Sequence, residues 1–387
     1  MLPPKIVATA SELEALAARL RREPQVAVDT ESNSLYVYYE RVCLIQVSTR
    51  QEDFIVDPLA LANSARPPEQ ALAPLGAVMA DPAVEKVFHA AEYDLLGLKR
   101  DFNFEVVNLF DTMVAARILG WPQFGLSPIL EKHFGVRLDK RWQRADWGRR
   151  PLSPEQLAYA RLDTHYLLPL RDILVRELAA AGRLEEAREE FARLAAIAPA
   201  PERNQTFDPE GFWRIPGAQK LSGRELAVLR ELYLFREAQA QAQNRPPFKV
   251  LGDQSLIRLA KAQPRRPDAL GREGDLSPYQ VRRYGRGLLE AIARGLSAPI
   301  PQPPRRNEHI DDAVQARYDA LREWRKRRAQ ERGVESDVIL PREALWTLAR
   351  RAPSSLEELA AIEDLGPWRR EQYGEEILAV LRQVERR

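Results

Sequence analysis

The chain has 387 residues, 45% of them hydrophobic and 29% charged, which is enough for two or three globular domains with sizeable cores. No run of about 18 apolar residues occurs, and the first residues lack the pattern of a signal peptide, so we expect a cytoplasmic protein. The single cysteine, Cys43, excludes an intrachain disulfide and a thiolate zinc site.

Charge is distributed unevenly along the chain. Residues 1–200 carry a net charge of −4, whereas residues 201–387 carry +6. An acidic front half suits clustered metal-binding carboxylates, and a basic back half suits a polyanion such as nucleic acid. A difference of this size also occurs in proteins that bind neither.

The front half alternates strand-like and helical segments. Three β-rich runs joined by short turns, at 25–29, 42–48 and 53–56, predict an antiparallel meander. Two further runs, at 85–89 and 106–110, are separated by helical stretches, which is typical of parallel strands added to a sheet. The sequence therefore predicts an α/β domain with a mixed sheet of five strands.

Four acidic residues and a tyrosine are placed to converge on this sheet. Asp29 and Glu31 are two residues apart at the end of a strand, so their side chains point to the same face. Asp94 begins the helix after the fourth strand. Tyr159 and Asp163 are four residues apart on a helix that opens at Ser153-Pro-Glu, so they share one helix face.

Like charges at this density raise one another's pKa values and repel unless cations lie among them. Oxygen ligands without cysteine or paired histidine favour Mg²⁺ or Mn²⁺ over zinc. Two such ions about 4 Å apart can activate a water and stabilise the leaving oxygen of a phosphoryl displacement. Asp-x-Glu alone is commonplace, and Tyr-x-x-x-Asp alone is more often a packed pair. Only their joint occurrence indicates a two-metal nuclease.

Two proline-rich stretches, 195–209 and 297–307, are predicted to be stiff linkers. Between and after them, five sequence matches recur at a constant displacement of 89 residues, among them Tyr284-Gly with Tyr373-Gly. A gap-free repeat of this kind predicts a tandem duplication of one helical domain. We therefore predict domains at 1–205, 215–300 and 305–387. Long amphipathic helices are expected at 224–244 and 314–332.

The two copies differ in charge. Residues 215–300 carry a net charge of +7 and residues 305–387 a net charge of zero, so the first copy is the better candidate for holding nucleic acid. In the second copy, the turn Leu365-Gly-Pro367 precedes a helix whose free N–H groups would fit a phosphate. The alternative for this turn is an ordinary helix connection with proline in its first turn.

The acidic residues and the tyrosine, in this order, resemble the three exonuclease motifs of the DEDD superfamily, in the branch with tyrosine in the third motif. Neighbouring sequence, including Leu44-Ile-Gln46, Trp147-Gly-Arg-Arg-Pro-Leu152 and Tyr166-Leu-Leu-Pro-Leu170, resembles the bacterial ribonuclease D family. The duplicated back half resembles the helicase and RNase D C-terminal (HRDC) domain, which that family carries twice.

The resemblance implies an RNase H-like catalytic fold, followed by two all-α domains. It implies metal-dependent, 3′-5′ hydrolysis of RNA to 5′-mononucleotides, with tRNA precursors and other small structured RNAs as partners. By motif position, Asp29, Glu31 and Asp163 would hold the metal that binds the nucleophilic water. Asp94, with Asp29 as a bridge, would hold the second metal. Tyr159 would orient the water as a protonated hydroxyl.

Other positions have weaker support. Tyr39 and Gln46 are candidates to line the pocket of the 3′ nucleotide, although packing explains Tyr39 equally simply. His89 is a candidate phosphate ligand or a histidine bonded to backbone, whereas Asp111 is expected to cap a helix. Arg149 and Arg150, in a basic run that also contains Trp142 and Trp147, would track single-stranded RNA or form a solvated loop.

Two alternatives remain at this stage. A DNA 3′-5′ exonuclease of the same superfamily would share the metal site, because that site does not read the 2′-hydroxyl. A non-catalytic RNA-binding relative would have lost a carboxylate, and no carboxylate of the motifs is missing.

Overall fold

The computed structural model describes residues 3–62, 66–197, 207–303 and 311–385. These residues divide into two compact units. The first unit comprises the described residues of 3–32, 42–197 and 311–385, and the second comprises 33–41 and 207–303. A short segment from the front half of the chain thus belongs with the first copy of the repeat. None of the described helices is long and apolar enough to cross a membrane.

The first unit is built on a mixed sheet of six described strands. They are β1 (Lys5–Val7), β2 (Gln25–Ser32), β3 (Val42–Ser48), β4 (Asp53–Val56), β5 (Glu85–Phe88) and β6 (Leu109–Asp111). The strand order is β1-β4-β3-β2-β5-β6. β3 pairs antiparallel with β2 and β4, and the other neighbours pair in parallel.

The predicted α/β class and mixed sheet are confirmed, with one strand more than predicted. β1 is a three-residue edge strand, too short to show alternation in the sequence. The strand predicted at 106–110 is shifted to Leu109–Asp111 because Asn108 adopts a left-handed conformation, with φ of 51°, that interrupts an extended run.

Helices cover both faces of this sheet. Val26 and Val28 of β2 face one hydrophobic core, whereas Ala27 and, on β3, Leu44 face the opposite side. This alternation is the period of a strand buried on both faces. The helices are α1 (Ala10–Leu20), α2 (Pro58–Leu61), α3 (Pro68–Ala71), α4 (Ala73–Met79), α5 (Glu92–Phe102), α6 (Thr112–Ile118), α7 (Leu126–Phe134), α8 (Pro154–His165), α9 (Leu167–Ala180) and α10 (Leu184–Ala195).

The two copies of the repeat are helical, as predicted. The first contains α11 (Gly223–Ala242), α12 (Pro247–Val250), α13 (Asp253–Ala262), α14 (Pro267–Gly274) and α15 (Pro278–Ser297). The second contains α16 (Asp312–Arg332), α17 (Ser336–Ile339), α18 (Arg342–Arg351), α19 (Leu356–Ala360) and α20 (Pro367–Glu385). The long helices predicted at the start of each copy are confirmed as α11 and α16, within two residues at every end.

The second helical domain is joined to the sheet domain by ion pairs on α10. Both Nη atoms of Arg332 contact the carboxylate of Glu186, at 2.8 and 2.9 Å, and Glu186 is fully buried. Arg369, only 2% exposed, contacts Glu189 and Glu190, each at 2.9 Å. These buried, charge-assisted contacts make the second helical domain part of the first unit.

The turn at Leu365-Gly-Pro367 is not available to a phosphate, so the phosphate interpretation is wrong. The carboxylate of Glu189 accepts hydrogen bonds from the backbone N–H groups of Trp368, at 2.6 Å, and Arg369, at 3.4 Å. A Cβ atom at Gly366 would overlap this carboxyl group. The helix start binds an anion, as helix N-termini do, but the anion comes from α10 of the same unit.

In the second unit, residues 33–41 lie against the first helical domain. The hydroxyl of Tyr38 donates to Glu237 at 2.9 Å, and the backbone N–H of Tyr38 donates to the side chain of Asn244 at 3.2 Å. The ammonium group of Lys249 lies 4.0 Å from the ring centre of Tyr36, a cation–π contact. The segment begins two residues after Glu31, and α11 and α12 supply its contacts.

Candidate active site

The three elements that carry the acidic residues and the tyrosine are packed together in the first unit. Asp29 and Glu31 lie at the end of β2, and Asp94 lies in the first turn of α5. Tyr159 and Asp163 lie on α8, which packs against β2, β3 and β4. The helix begins at Pro154 with a capping box between Ser153 and Gln156, as the Ser-Pro-Glu start predicts.

Electrostatic coupling shows that the four carboxylates converge. Burial raises the pKa of Asp29, and repulsion from Asp163 raises it further. The pKa of Glu31 is also raised, first by burial and then by repulsion from Asp29, Asp163 and Asp94. The pKa of Asp94 is raised by burial and then by Asp29. Burial and Asp94 raise the pKa of Asp163 to about 7. Each carboxylate therefore repels at least one of the others.

Asp29 and Glu31 remain partly accessible to solvent, whereas Asp94 and Asp163 are buried. All four side chains are thus buried or half-buried, and we call this group the carboxylate floor. Such a floor keeps negative charge only when cations are supplied, which fits divalent metal ions.

Within the described ranges, no three acidic, histidine or cysteine side chains are positioned to enclose one ion. Mg²⁺ keeps several waters and is usually held by one or two carboxylates together with substrate phosphate oxygens. The donor set at Asp29, Glu31, Asp94 and Asp163 is therefore suited to ions shared with a phosphodiester.

Asp94 is held in place by Thr30, which the sequence did not single out, and by Asp111 through the turn before α5. The hydroxyl of Thr30 donates to its carboxylate at 2.5 Å. The turn before α5 is fixed by Asp111, which accepts from the backbone N–H groups of Ala90 and Ala91 at 3.2 and 2.7 Å. Asp111 also caps α6, so the predicted capping role is confirmed and extended to the start of the helix that carries Asp94.

Tyr159 is buried with its phenol among the carboxylates. Burial raises its pKa, followed by repulsion from Asp163 and Glu31, so the hydroxyl stays protonated at neutral pH. Its ring lies over Trp147 at 6.1 Å between centroids and 25° between planes, and Trp147 is 1% exposed. Trp147 thus packs against the ring of Tyr159. The basic residues that surround Trp147 in the sequence did not indicate this packing role.

Gln46 lies opposite Asp29 in the β2–β3 register, so both side chains start on the same face of the sheet. The side chain of Gln46 is completely buried, and neither its amide nitrogen nor its amide oxygen has a protein hydrogen-bond partner. A buried amide without partners is costly, which leaves it suited to a water or ligand at the carboxylate floor.

His89 is half-buried beside the same turn. Its Nδ1 lies 2.9 Å from the hydroxyl of Thr112, which itself donates to the carbonyl of Phe88. Burial lowers the pKa of His89, against the effect of Asp111, so the ring is neutral at neutral pH. The partner of His89 is thus a side-chain hydroxyl, whereas the structural alternative expected a bond to backbone.

The substrate-binding prediction is wrong for Arg150. Its five N–H donors are all used: two bonds reach the carboxylate of Asp57, at 2.6 and 2.8 Å, and three reach the carbonyls of Cys43, Trp147 and Arg149. Arg150 therefore ties its loop to the sheet. The neighbouring Arg149 has a side chain that is 84% exposed and contacts Asp146 at 3.6 Å, so it stays a candidate.

Tyr39 belongs to the second unit, with the first helical domain. Its ring meets that of Tyr38 edge-on at 4.7 Å, and its hydroxyl accepts from the side chain of Gln241 at 3.4 Å. The sequence grouped Tyr39 with Gln46, whereas the structure assigns the two residues to different units.

Comparison with known proteins identifies the class. The family model for 3′-5′ exonuclease domains matches residues 4–179, and the model for HRDC domains matches residues 225–292 and 314–381. Both ends of the HRDC matches differ by 89 residues, which confirms the predicted duplication. Fold and site together define a divalent-cation-dependent 3′-5′ exonuclease followed by two HRDC domains.

The chain belongs to the ribonuclease D family, and it is a 3′-5′ exoribonuclease. It is 34% identical to ribonuclease D of Gluconacetobacter diazotrophicus, over 97% of this chain and 92% of the relative. Identity to ribonuclease D of Jannaschia sp. is 33%, over 98% and 95%. The crystal structure of Escherichia coli RNase D matches at 26% identity with a TM-score of 0.68, covering 99% of each chain. The catalytic core of RRP6 from Trypanosoma brucei matches at 31% identity and a TM-score of 0.66, covering 77% and 80%.

Proposed function

We propose that this exoribonuclease uses two Mg²⁺ or Mn²⁺ ions to trim the 3′ ends of tRNA precursors and other small structured RNAs, releasing 5′-mononucleotides. The proposal of bound metal ions rests on the mutual repulsion of four buried or half-buried carboxylates, Asp29, Glu31, Asp94 and Asp163. Without cations, the negative charge of these carboxylates would be uncompensated at the end of β2.

The proposed roles follow the positions of these residues in the three exonuclease motifs. Asp29, Glu31 and Asp163 would share one ion with waters and substrate oxygens, and Asp94, with Asp29, would share the other; bound ions of this kind activate water and stabilise developing charge on phosphate oxygens. Tyr159, protonated and fixed on Trp147, would donate its hydrogen bond to orient the water or the scissile phosphate. Its high pKa excludes it as the base at neutral pH.

Other contacts are proposed on weaker grounds. Gln46 would hydrogen-bond the terminal nucleotide or its water through the buried amide, and His89 would contact a phosphate only with a proton on Nε2 as well, because Nδ1 donates to Thr112. Arg149, exposed on its loop, and Tyr39 would contact the RNA strand. The domain limits proposed for the whole chain remain 1–205, 215–300 and 305–387.

Two observations support structured RNA as the substrate. The E. coli structure that this chain resembles is described as that of an exoribonuclease involved in structured RNA processing. The first helical domain has a charge of +7, which suits several phosphate contacts beyond the 3′ end. The turn of the second domain that would have bound phosphate is filled by Glu189.

The direct test is hydrolysis of 5′-labelled RNA and DNA oligonucleotides, and of a tRNA with a 3′ extension, with Mg²⁺, Mn²⁺ or EDTA. We expect a descending ladder from RNA that requires the metal. Asp29→Asn and Asp163→Asn should each reduce the rate at least a hundredfold, because each removes a charged metal ligand at nearly constant shape. Asp172→Asn is the matched control, since it removes the same charge from an exposed pair with Arg50.

Tyr159→Phe gives a finer test of the site. Loss of one positioned hydrogen bond should slow hydrolysis by roughly a hundredfold while RNA affinity changes little. Unchanged turnover would return Tyr159 to a packing role. A faster ladder on DNA than on RNA, or hydrolysis in EDTA, would contradict the proposed function.

A further inference from the structure

The second unit contains a cavity that the exonuclease reaction does not explain. Its volume is about 300 Å³, at the lower end of small-molecule sites, and it lies between the segment 33–41 and the first helical domain. Its wall combines polar side chains with four aromatic residues, which are Tyr38, Tyr39, Phe207 and Tyr233.

The wall is built from fixed side chains. Tyr38 is held by its hydrogen bond to Glu237, which is itself nearly buried, and Tyr233 donates its hydroxyl to the carbonyl of Asp208 at 2.9 Å. The cavity therefore keeps its shape without a ligand, which reduces the entropy that binding would cost.

Two rings at the cavity are open to solvent. Tyr39 and Phe207 are each 40% exposed, although both are large hydrophobic side chains. Each is backed by another ring: Tyr39 meets Tyr38 edge-on at 4.7 Å, and Phe207 stacks on Tyr233 at 6.1 Å and 21°. A supported ring with an exposed face is a platform for stacking a planar group.

The charges around the cavity do not favour a phosphate. Arg214 is paired with Asp208 at 2.5 Å, and Glu237 is paired with Arg236 at 3.3 Å. Glu40 also lines the cavity, so the local charge is neutral to slightly negative. Hydroxyl and carboxylate groups beside the rings offer hydrogen bonds to an uncharged, planar, polar group. That combination matches a heteroaromatic base better than an anion.

We propose that this cavity binds one nucleobase of the RNA strand, stacked on the exposed rings of Tyr39 and Phe207. The identification of the ligand as a nucleobase rests on the proposed RNA substrate. Every residue used here belongs to the second unit, whereas the proposed metal ligands belong to the first. The cavity would bind the RNA strand through a base, without a phosphate contact.

The test uses the full-length protein in EDTA, so that RNA binds without being cut. Single-stranded RNAs carrying 5-iodouridine at successive positions from the 3′ end are irradiated, and cross-linked peptides are identified by mass spectrometry. We expect one position to cross-link to Tyr39 or Phe207. In parallel, Tyr39→Leu and Phe207→Leu should each weaken RNA binding about tenfold, whereas Tyr39→Phe and Phe207→Tyr should retain affinity.

The salt dependence separates stacking from charge. The slope of affinity against salt concentration should be the same in the leucine variants and the wild type, because no phosphate contact is lost. Thermal melting confirms that the variants are folded. No cross-link in the cavity, together with wild-type affinity of both leucine variants, overturns the inference while RNA hydrolysis by the wild type still supports the proposed function. A wild type that neither binds nor hydrolyses RNA overturns both.

Discussion

The two helical domains have the same fold, but they contact different parts of the chain. In both, residues at or shortly after the end of the long first helix take part in docking. In the first domain, Asn244 and Lys249 contact the segment 33–41. In the second domain, Arg332 and Glu335 contact α10 and α6. One duplicated surface has therefore acquired two different partners.

Two pairs of equivalent positions in the repeat explain why the second domain binds α10. Gln243 accepts a hydrogen bond from Tyr284 at 3.1 Å, and its counterpart 89 residues later, Arg332, donates to Tyr373 at 2.9 Å. The internal bond of the fold is kept in both domains. Arginine carries additional donors, and these reach the buried carboxylate of Glu186 on α10.

The second pair behaves in the same way. Gln280 donates to the carbonyl of Val250 at 3.0 Å, and its counterpart Arg369 donates to the equivalent carbonyl, that of Ile339, at 3.1 Å. Arg369 then extends to the carboxylates on α10. Glutamine thus makes only the internal hydrogen bond of the fold, whereas arginine makes that bond and also contacts α10. At these two positions, arginine keeps the internal bond of the fold and adds the contacts with α10.

The largest effect is expected from Arg369→Leu. It leaves the carboxylates of Glu189 and Glu190 without their buried guanidinium, which should cost about 3 to 5 kcal/mol. Hydrogen exchange of peptides from α10 and α20 measures the loss. Gln280→Leu is the matched control in the first domain, with an expected cost of about 1 kcal/mol. Equal losses in the two variants would refute the docking role of Arg369.

Arg332→Gln should cost less, about 2 kcal/mol, because glutamine can keep the internal bond to Tyr373 as Gln243 does to Tyr284. The remaining cost arises because the buried carboxylate of Glu186 would keep only its longer contact with Arg183, at 3.5 Å. Adding Glu186→Gln should therefore recover part of the stability, and urea unfolding of the two single variants and the double variant measures the coupling. Additive effects would show that the two side chains do not interact.

Tyr38→Phe tests the partner of the first domain. It removes the hydrogen bond to Glu237, and a bond to a charged acceptor contributes about 1.5 kcal/mol. Faster hydrogen exchange should be confined to residues 33–41 and α11. Faster exchange in α10 or α20 would show that the two docking surfaces are not independent.

Arg117→Gln should have the smallest effect, below about 1 kcal/mol. Arg117 pairs with Glu335 and Asp337, at 2.7 and 2.6 Å, but both carboxylates are 55% exposed and screened by solvent. Its melting temperature should approach that of the wild type as salt is added. A loss as large as that of Arg369→Leu would mean that the exposed pairs dominate docking.

Local pattern was enough to predict the catalytic elements. β3 and β4 have the predicted bounds because their apolar runs are long and flanked by turns. The capping signal at Ser153 set the start of α8, and with it the shared face of Tyr159 and Asp163. These features depend on neighbours in sequence, which a single chain displays directly.

Features that depend on distant partners were not predicted. The acidic residues of α10 look like a solvated helix face until Arg332 and Arg369, far along the chain, are placed against them. Gly366 looked like a phosphate turn for the same reason. Arg150 looked free because the acceptor that occupies it, Asp57, is 93 residues away. Sequence shows which groups can bind an anion but not which anion reaches them.

The most direct test of the metal centre is Mn²⁺ binding to the full-length protein, counted by electron paramagnetic resonance. We predict two bound ions, and at least tenfold weaker binding in Asp29→Asn and Asp94→Asn, with Asp172→Asn unchanged. Protons compete with the metal for carboxylates whose pKa values are raised, so affinity should increase as the pH rises through about 7, the pKa of Asp163. Equal Mn²⁺ binding in the wild type and both variants would contradict the account.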